Sequence, residues 1–217
     1  MQLFLKVTFS LLEGFVTTLK IFGLTLVMAL PLGLIISFGS MSKLKIIKYP
    51  IKTLIWIIRG TPLMLQLLVI YFGPWFMFKV QISSGYKMTA VLIGFAINYA
   101  AYFAEIYRAG IESMPVGQYE AAKVLGFNKA QTFFKIILPQ VIKRILPPVT
   151  NETITLVKDT SLAFVIAVTE MFTIAKQISA KEANVMPLMV AGLFYFVFNY
   201  VVAFVMERIE KKLSYYR

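Results

Sequence analysis

The 217-residue chain has no cysteine and no histidine, and Asp159 is its one aspartate. Without thiols there is neither a disulfide framework nor a thiolate nucleophile, and without imidazole the commonest general base is missing. The usual zinc, haem and iron–sulfur ligand sets go with them, so no metal site is expected. Charge is scarce as well: 15% of the residues are Asp, Glu, Lys or Arg, against about a quarter in soluble domains. Apolar residues make up 59% and the mean hydropathy is +0.78. This composition excludes an ordinary soluble domain, and lipid is the expected solvent.

The charge that is present is mostly of one sign, with a formal net charge of +12. In a soluble chain that excess would raise nucleic acid as a partner. Its distribution points to a membrane instead. A bilayer core takes about 20 mostly apolar residues in helical form, and five stretches qualify: residues 15–38, 53–78, 88–107, 145–172 and 185–206. An odd number of spans places the termini on opposite sides. With the N-terminus outside, the cytoplasmic segments hold fourteen Lys and Arg, and the outer segments hold five: Lys6, Lys79, Lys87, Lys176 and Lys181. That asymmetry assigns N-out, C-in and accounts for the net charge without nucleic acid.

Lys6 ahead of an apolar run is also how a secretory signal begins. This run is too long for such a signal, and Ala29-Leu30-Pro31-Leu32-Gly33 lies deep within it rather than after it, so the first span is expected to be retained. No internal repeat and no low-complexity linker divides the chain, and residues 1–217 read as one all-α polytopic membrane domain.

Between spans three and four, residues 110–140 are too long for a simple connection. The stretch Gly117–Gly126 reads as a short helix stopped by glycine. Asn128 is placed to cap a second helix over Lys129–Leu138, which Pro139 would end. Within it Ala130, Phe133, Phe134 and Ile137 recur on one face. The expected product is a helical knob on the basic side of the membrane. The plain alternative is an amphipathic pair lying on the headgroups.

The spacing of Glu120, Ala121, Ala122, Gly126, Ile136, Leu138 and Pro139 resembles the EAA loop of ATP-binding-cassette (ABC) importer permeases at all its hallmark positions. Two further strings are similar to those of the polar amino acid branch of that family: Arg59-Gly60-Thr61-Pro62-Leu63 with Gln66, and Asn98 to Ile111. Asn151-Glu152 with Leu156 to Leu162 is a third. The resemblance implies a five-span permease subunit in the bacterial cytoplasmic membrane. Its EAA loop would couple it to ABC ATPase subunits. The chain has no Gly-x4-Gly-Lys-Ser/Thr loop, so it is expected to be non-catalytic and to bind no cofactor. ATP and Mg would be held by two partner ATPase subunits. A second permease (homodimer or related heterodimer), an extracytoplasmic substrate-binding protein and an amino acid substrate complete the implied partners.

Ionisable groups at membrane depth are costly and mark pathways, and broken helices are where transporters bind substrate. Gly60 and Pro62 predict a break in span two. Candidate substrate-binding residues are Arg59, Thr61, Gln66, Asn98, Tyr102, Glu152, Asp159 and Ser161. Arg59 would neutralise a substrate carboxylate or else snorkel to the headgroups. Glu152 and Asp159 would hold an ammonium, or else pair structurally with Lys158 or Arg59. Glu105 and Arg108, three apart, are expected to pair. Phe194 and Phe198 are expected to pack helices. A second reading makes Glu152, Lys158 and Asp159 the relay of an ion-coupled secondary transporter or channel. That reading calls for inverted repeats, which five spans do not divide into evenly.

Overall fold

A computed structural model describes residues 2–83 and 85–213. Among them there are helices and no strands: α1 (Gln2–Ser40), α2 (Lys45–Gly60), α3 (Leu63–Phe78), α4 (Tyr86–Glu112), α5 (Val116–Val124), α6 (Lys129–Gln131), α7 (Leu138–Asp159), α8 (Met171–Lys181) and α9 (Met186–Leu213). A π-helical segment, Thr132–Ile137, joins α6 to α7, and a 3-10 segment, Thr160–Ile166, extends α7. One rod therefore runs from Lys129 to Ile166.

α1, α4 and α9 are each long and apolar enough to cross a bilayer. Two bent pairs supply the other crossings, giving five when each pair counts as one span: α2 with α3, bent by 109°, and the Lys129–Ile166 rod with α8, bent by 59°. The first bend falls at Thr61 and Pro62, where the sequence predicts it. The second has no glycine or proline to announce it. Ala167 adopts a left-handed conformation with φ 56°, and Glu170 caps the next helix by accepting from the amides of Phe172 and Thr173, both at 2.7 Å.

The knob also differs from the expectation. Pro139 does not end a helix, and Pro147 and Pro148 lie inside α7 rather than at the start of a span. A proline normally collides with the carbonyl four residues back. Here the preceding turn is π-helical, with the Leu138 amide donating to Phe133 O and the Gln140 side chain donating to Ile136 O at 2.7 Å. The wider turn opens the backbone where Pro139 enters.

α1 and α4 form the spine of the bundle, and small residues let them meet. A Cβ on Gly33 would lie 2.9 Å from Phe103 Cβ and 3.0 Å from Ala100 O. Ala29, Ala100 and Ala104 are fully buried. Apolar burial gives little drive between helices in lipid, so such close backbone approach is what holds them. At the outer end, Val7 and Leu11 of α1 pack with Met171 and Ala175 of α8 and with Val190 and Ala191 of α9. At the cytoplasmic end, Arg144 donates to Ser113 O at 2.7 Å, and Thr150 donates to Glu210 at 2.8 Å.

Two outcomes follow from this architecture. Gly33→Val should separate α1 from α4 and destabilise the protein by about 1–3 kcal/mol, read as a lower melting temperature in detergent. Because the chain has no native thiol, Gly85→Cys should react with an impermeant maleimide only from outside intact cells. Gly117→Cys, in the chain expressed alone, should react only from the cytoplasmic side.

Candidate functional site

The knob is built on α5. Its end is closed by the Phe127 amide donating to Ala122 O and the Gly126 amide donating to Lys123 O, both at 3.0 Å. Gly126 takes φ 78°, the left-handed geometry this closure requires. After the turn, Asn128 Oδ1 accepts from the Gln131 amide at 2.9 Å while Gln131 Oε1 accepts from the Asn128 amide at 3.0 Å. This reciprocal cap fixes the start of the rod.

Ala122 is fully buried, whereas Glu120 and Ala121 on the same short helix are exposed. Gly126 and Pro139 are exposed, and Ile136 and Leu138 are half-buried. Under the knob, Met114, Ile137 and Val141 form a small core. Val124, Leu125 and Phe134 are left outside at 87%, 73% and 64% exposure. Glu120 has no hydrogen-bond or ion-pair partner among the described residues. The result is a projection with an apolar tip and, among the described residues, an unpaired carboxylate.

A second group of residues gathers at the α2–α3 break. The bend leaves carbonyls without their helical partners, and side chains take them up. Thr61 Oγ1 donates to Ile57 O at 2.8 Å. Gln66 Nε2 faces Ile58 O at 2.8 Å, Thr61 Oγ1 at 2.9 Å and Thr61 O at 3.1 Å. Asn98 of α4, itself buried, donates to Gln66 Oε1 at 3.0 Å. Thr61, Gln66 and Asn98 thus brace the break in this conformation.

Arg59, exposed beside them, sets its guanidinium 5.1 Å from the centre of the Tyr102 ring, within cation–π range. Glu152 of α7 is within electrostatic reach of both Arg59 and Asp159. No salt bridge joins Arg59 to either carboxylate among the described residues. Asp159 accepts instead from the Tyr99 hydroxyl at 2.7 Å. Tyr99 was not among the sequence candidates, and its signal was there: a phenol one residue from Asn98 on the same helix. The Ser161 hydroxyl donates to Lys158 O at 2.7 Å rather than to a side chain of this group. Glu105 pairs with Arg108, which also engages Glu112.

One buried acid of the fourth span was not among the candidate site residues. Glu170 is fully buried and accepts from Thr173 Oγ1 at 2.9 Å and the Tyr195 hydroxyl at 3.1 Å besides its two amides. It ties α8 to α9. A cleft of about 550 Å³ lies elsewhere, between α1 and α9, and is lined by Phe15, Leu19, Phe194, Val197, Phe198 and Val201 among others. Phe198 meets Phe15 edge-on at 5.3 Å and Phe22 at 5.1 Å. An all-apolar cleft has nothing to hold a zwitterion, and these rings pack helices.

Residues 29–215 match the family described as binding-protein-dependent transport system inner membrane component. A probable amino-acid ABC transporter permease protein, YckA of Bacillus subtilis (strain 168), is 38% identical over 94% of this chain and 92% of its own length. The arginine transport system permease protein ArtQ of the same organism is 35% identical, with 94% and 92% covered. Among solved structures, an amino acid ABC transporter crystallised with histidines superposes with a TM-score of 0.87 at 35% identity, covering 96% of both chains. The methionine transporter MetNI, at 17% identity and a TM-score of 0.72, shares the fold. The chain belongs to the binding-protein-dependent inner membrane components and is the permease subunit of an ABC transporter.

Proposed function

We propose that this permease moves a polar or charged amino acid into the cell by alternating access, powered by ATP hydrolysis in two separate subunits. The observation that carries the reading is the single rod Lys129–Ile166. Its base forms half of the projecting knob, and its upper part bears Glu152 and Asp159. From Lys129 to Asp159 is roughly 45 Å of helix at 1.5 Å per residue. A displacement of the knob therefore reaches the two carboxylates through one continuous helical element.

In this reading the partner ATPase grips α5 around Glu120 and the exposed Val124 and Leu125, and Ala121 allows close approach. ATP and Mg are held by the ATPase subunits, and this chain contributes no group to hydrolysis. A second permease, either another copy or a related chain, closes the translocation path. A separate extracytoplasmic binding protein delivers the substrate.

The substrate class follows from the mixed charge of the group at the break. Arg59 offers a cation to an α-carboxylate, and Glu152 and Asp159 offer anions to an α-ammonium or a basic side chain. Relatives named for arginine, L-cystine and glutamine transport share only the α-amino acid part among their substrates. The shared zwitterion is what Arg59 and the carboxylates read.

Glu120→Arg should weaken co-purification of the ATPase by at least about thirtyfold, as expected from losing roughly 2 kcal/mol at a docked charge. Membrane levels of the permease should stay unchanged. Retained ATPase binding would sink the docking role. In proteoliposomes containing the whole transporter, Arg59→Gln and Glu152→Gln should each raise the substrate concentration for half-maximal uptake roughly tenfold. The basal ATPase rate should stay near wild type. Unchanged uptake in both variants would remove this group from the substrate path.

A further inference from the structure

Helix α2 carries a set of lysines and an exposed apolar strip that neither the knob nor the break uses. It meets α3 at 109°, so with α3 crossing the bilayer α2 runs close to the membrane plane. Its depth follows from what it packs on. Ile47 and Ile51 close over Gly39 at the cytoplasmic end of α1. Lys52 lies within electrostatic reach of Glu105, which sits roughly 28 Å along α4 from its outer start at Tyr86. That is about the thickness of the hydrocarbon core, so α2 lies at the level of the cytoplasmic headgroups.

At 100° per residue, four sectors follow one another around α2. Ile51, Ile55 and Ile58 turn into the bundle, with Ile55 and Ile58 buried. Lys45, Lys48, Lys52 and Arg59 come next. Tyr49 and Trp56 follow, exposed at 59% and 71%, and then Ile46, Ile57 and Leu54 at 84%, 57% and 49%. The packed sector faces sideways, so the lysines and the apolar strip point in opposite directions, and the two aromatics stand at the boundary between them. Lysines toward water, isoleucines toward acyl chains and Trp and Tyr between is the arrangement of a helix seated in a membrane interface. Lys43 adds a further exposed cation just before the helix. Lys43, Lys45 and Lys48 have no hydrogen-bond or ion-pair partner among the described residues.

We propose that α2 is a docking surface for anionic lipid of the cytoplasmic leaflet. Ile46, Leu54 and Ile57 enter the acyl boundary while Lys43, Lys45 and Lys48 bind headgroup phosphates. A leaflet rich in anionic lipid complements both sectors at once, offering hydrocarbon on one side and negative charge on the other. A second permease covering the strip would leave the lysines unmatched. The proposal rests on the N-out, C-in orientation and is independent of which substrate is carried.

Trp56 reports on the site, because the chain has two tryptophans and Trp75→Phe, with partner subunits and scaffold protein in tryptophan-free form, leaves it as the one tryptophan. The assembled transporter is placed in nanodiscs containing, at equal mole fraction, either brominated phosphatidylglycerol or brominated phosphatidylcholine. Phosphatidylglycerol should quench Trp56 as if enriched at least about fivefold at the site, which is the contribution of a single lysine near an anionic surface. Replacing Lys43, Lys45 and Lys48 together with glutamine should abolish the preference, and replacing them with arginine should keep it. Equal quenching by the two lipids in the parent protein would overturn headgroup recognition, and that comparison needs no lysine variant to fold. Absence of quenching by either lipid would show that protein, such as the second permease, covers the helix, and would overturn the proposal.

Discussion

A peptide group in hydrocarbon has no water to bond, so any interruption of a helix at membrane depth must be closed by the protein itself. Both bent spans of this permease close their breaks with side chains. At the first, Thr61 and Gln66 collect the carbonyls of Ile57, Ile58 and Thr61, and Asn98 holds Gln66 from the neighbouring helix. At the second, Glu170 receives the first amides of α8, and Tyr195 secures it from α9. The polar residues of the spans are thus not scattered. They stand where the backbone needs them, and the first set lies beside Arg59 and Tyr102. A region whose helical bonds are already replaced by side-chain bonds can rearrange by exchanging those partners, which an unbroken helix cannot do.

How much of this was legible in the sequence depended on whether a local signal existed. The break at Gly60–Pro62 was, because a lost amide and a flexible residue fall in one turn. The Gly126 turn and the Asn128 cap were, because each serves a defined backbone geometry. The break after Ile166 was not: the apolar run continues through it, and its cause is a tertiary one, a buried carboxylate organised by residues far away in sequence. Pro139 misled for the opposite reason. It is a strong local stop, overridden by a π-helical turn that residue type does not announce. Of the candidate pocket, the sequence supplied the residues but not their partners. It left Asp159 beside Lys158, and the fold gave it the Tyr99 hydroxyl.

The knob and the membrane group are joined by geometry more than by chemistry. Val141 and Ile137 anchor the base of the rod to the end of α4, while Leu156 and Val157 are fully buried near its top. A rod gripped at both ends moves as a body. The π-helical turn is the one place along its cytoplasmic half where the hydrogen-bond register departs from that of an α-helix, so small adjustments between the knob and the span concentrate there.

The helices that cross the membrane are also unequal. α1 has 39 residues, roughly 58 Å of helix, whereas α3 has 16, roughly 24 Å. A hydrocarbon layer about 30 Å thick is overspanned by one and underspanned by the other. A short span is met by thinning of the bilayer or by snorkelling of flanking polar side chains, and Arg59 at the end of α2 flanks the start of α3. A short crossing helix centred in the bilayer thus carries Arg59, just before its start, nearer to the midplane than the ends of α1 lie.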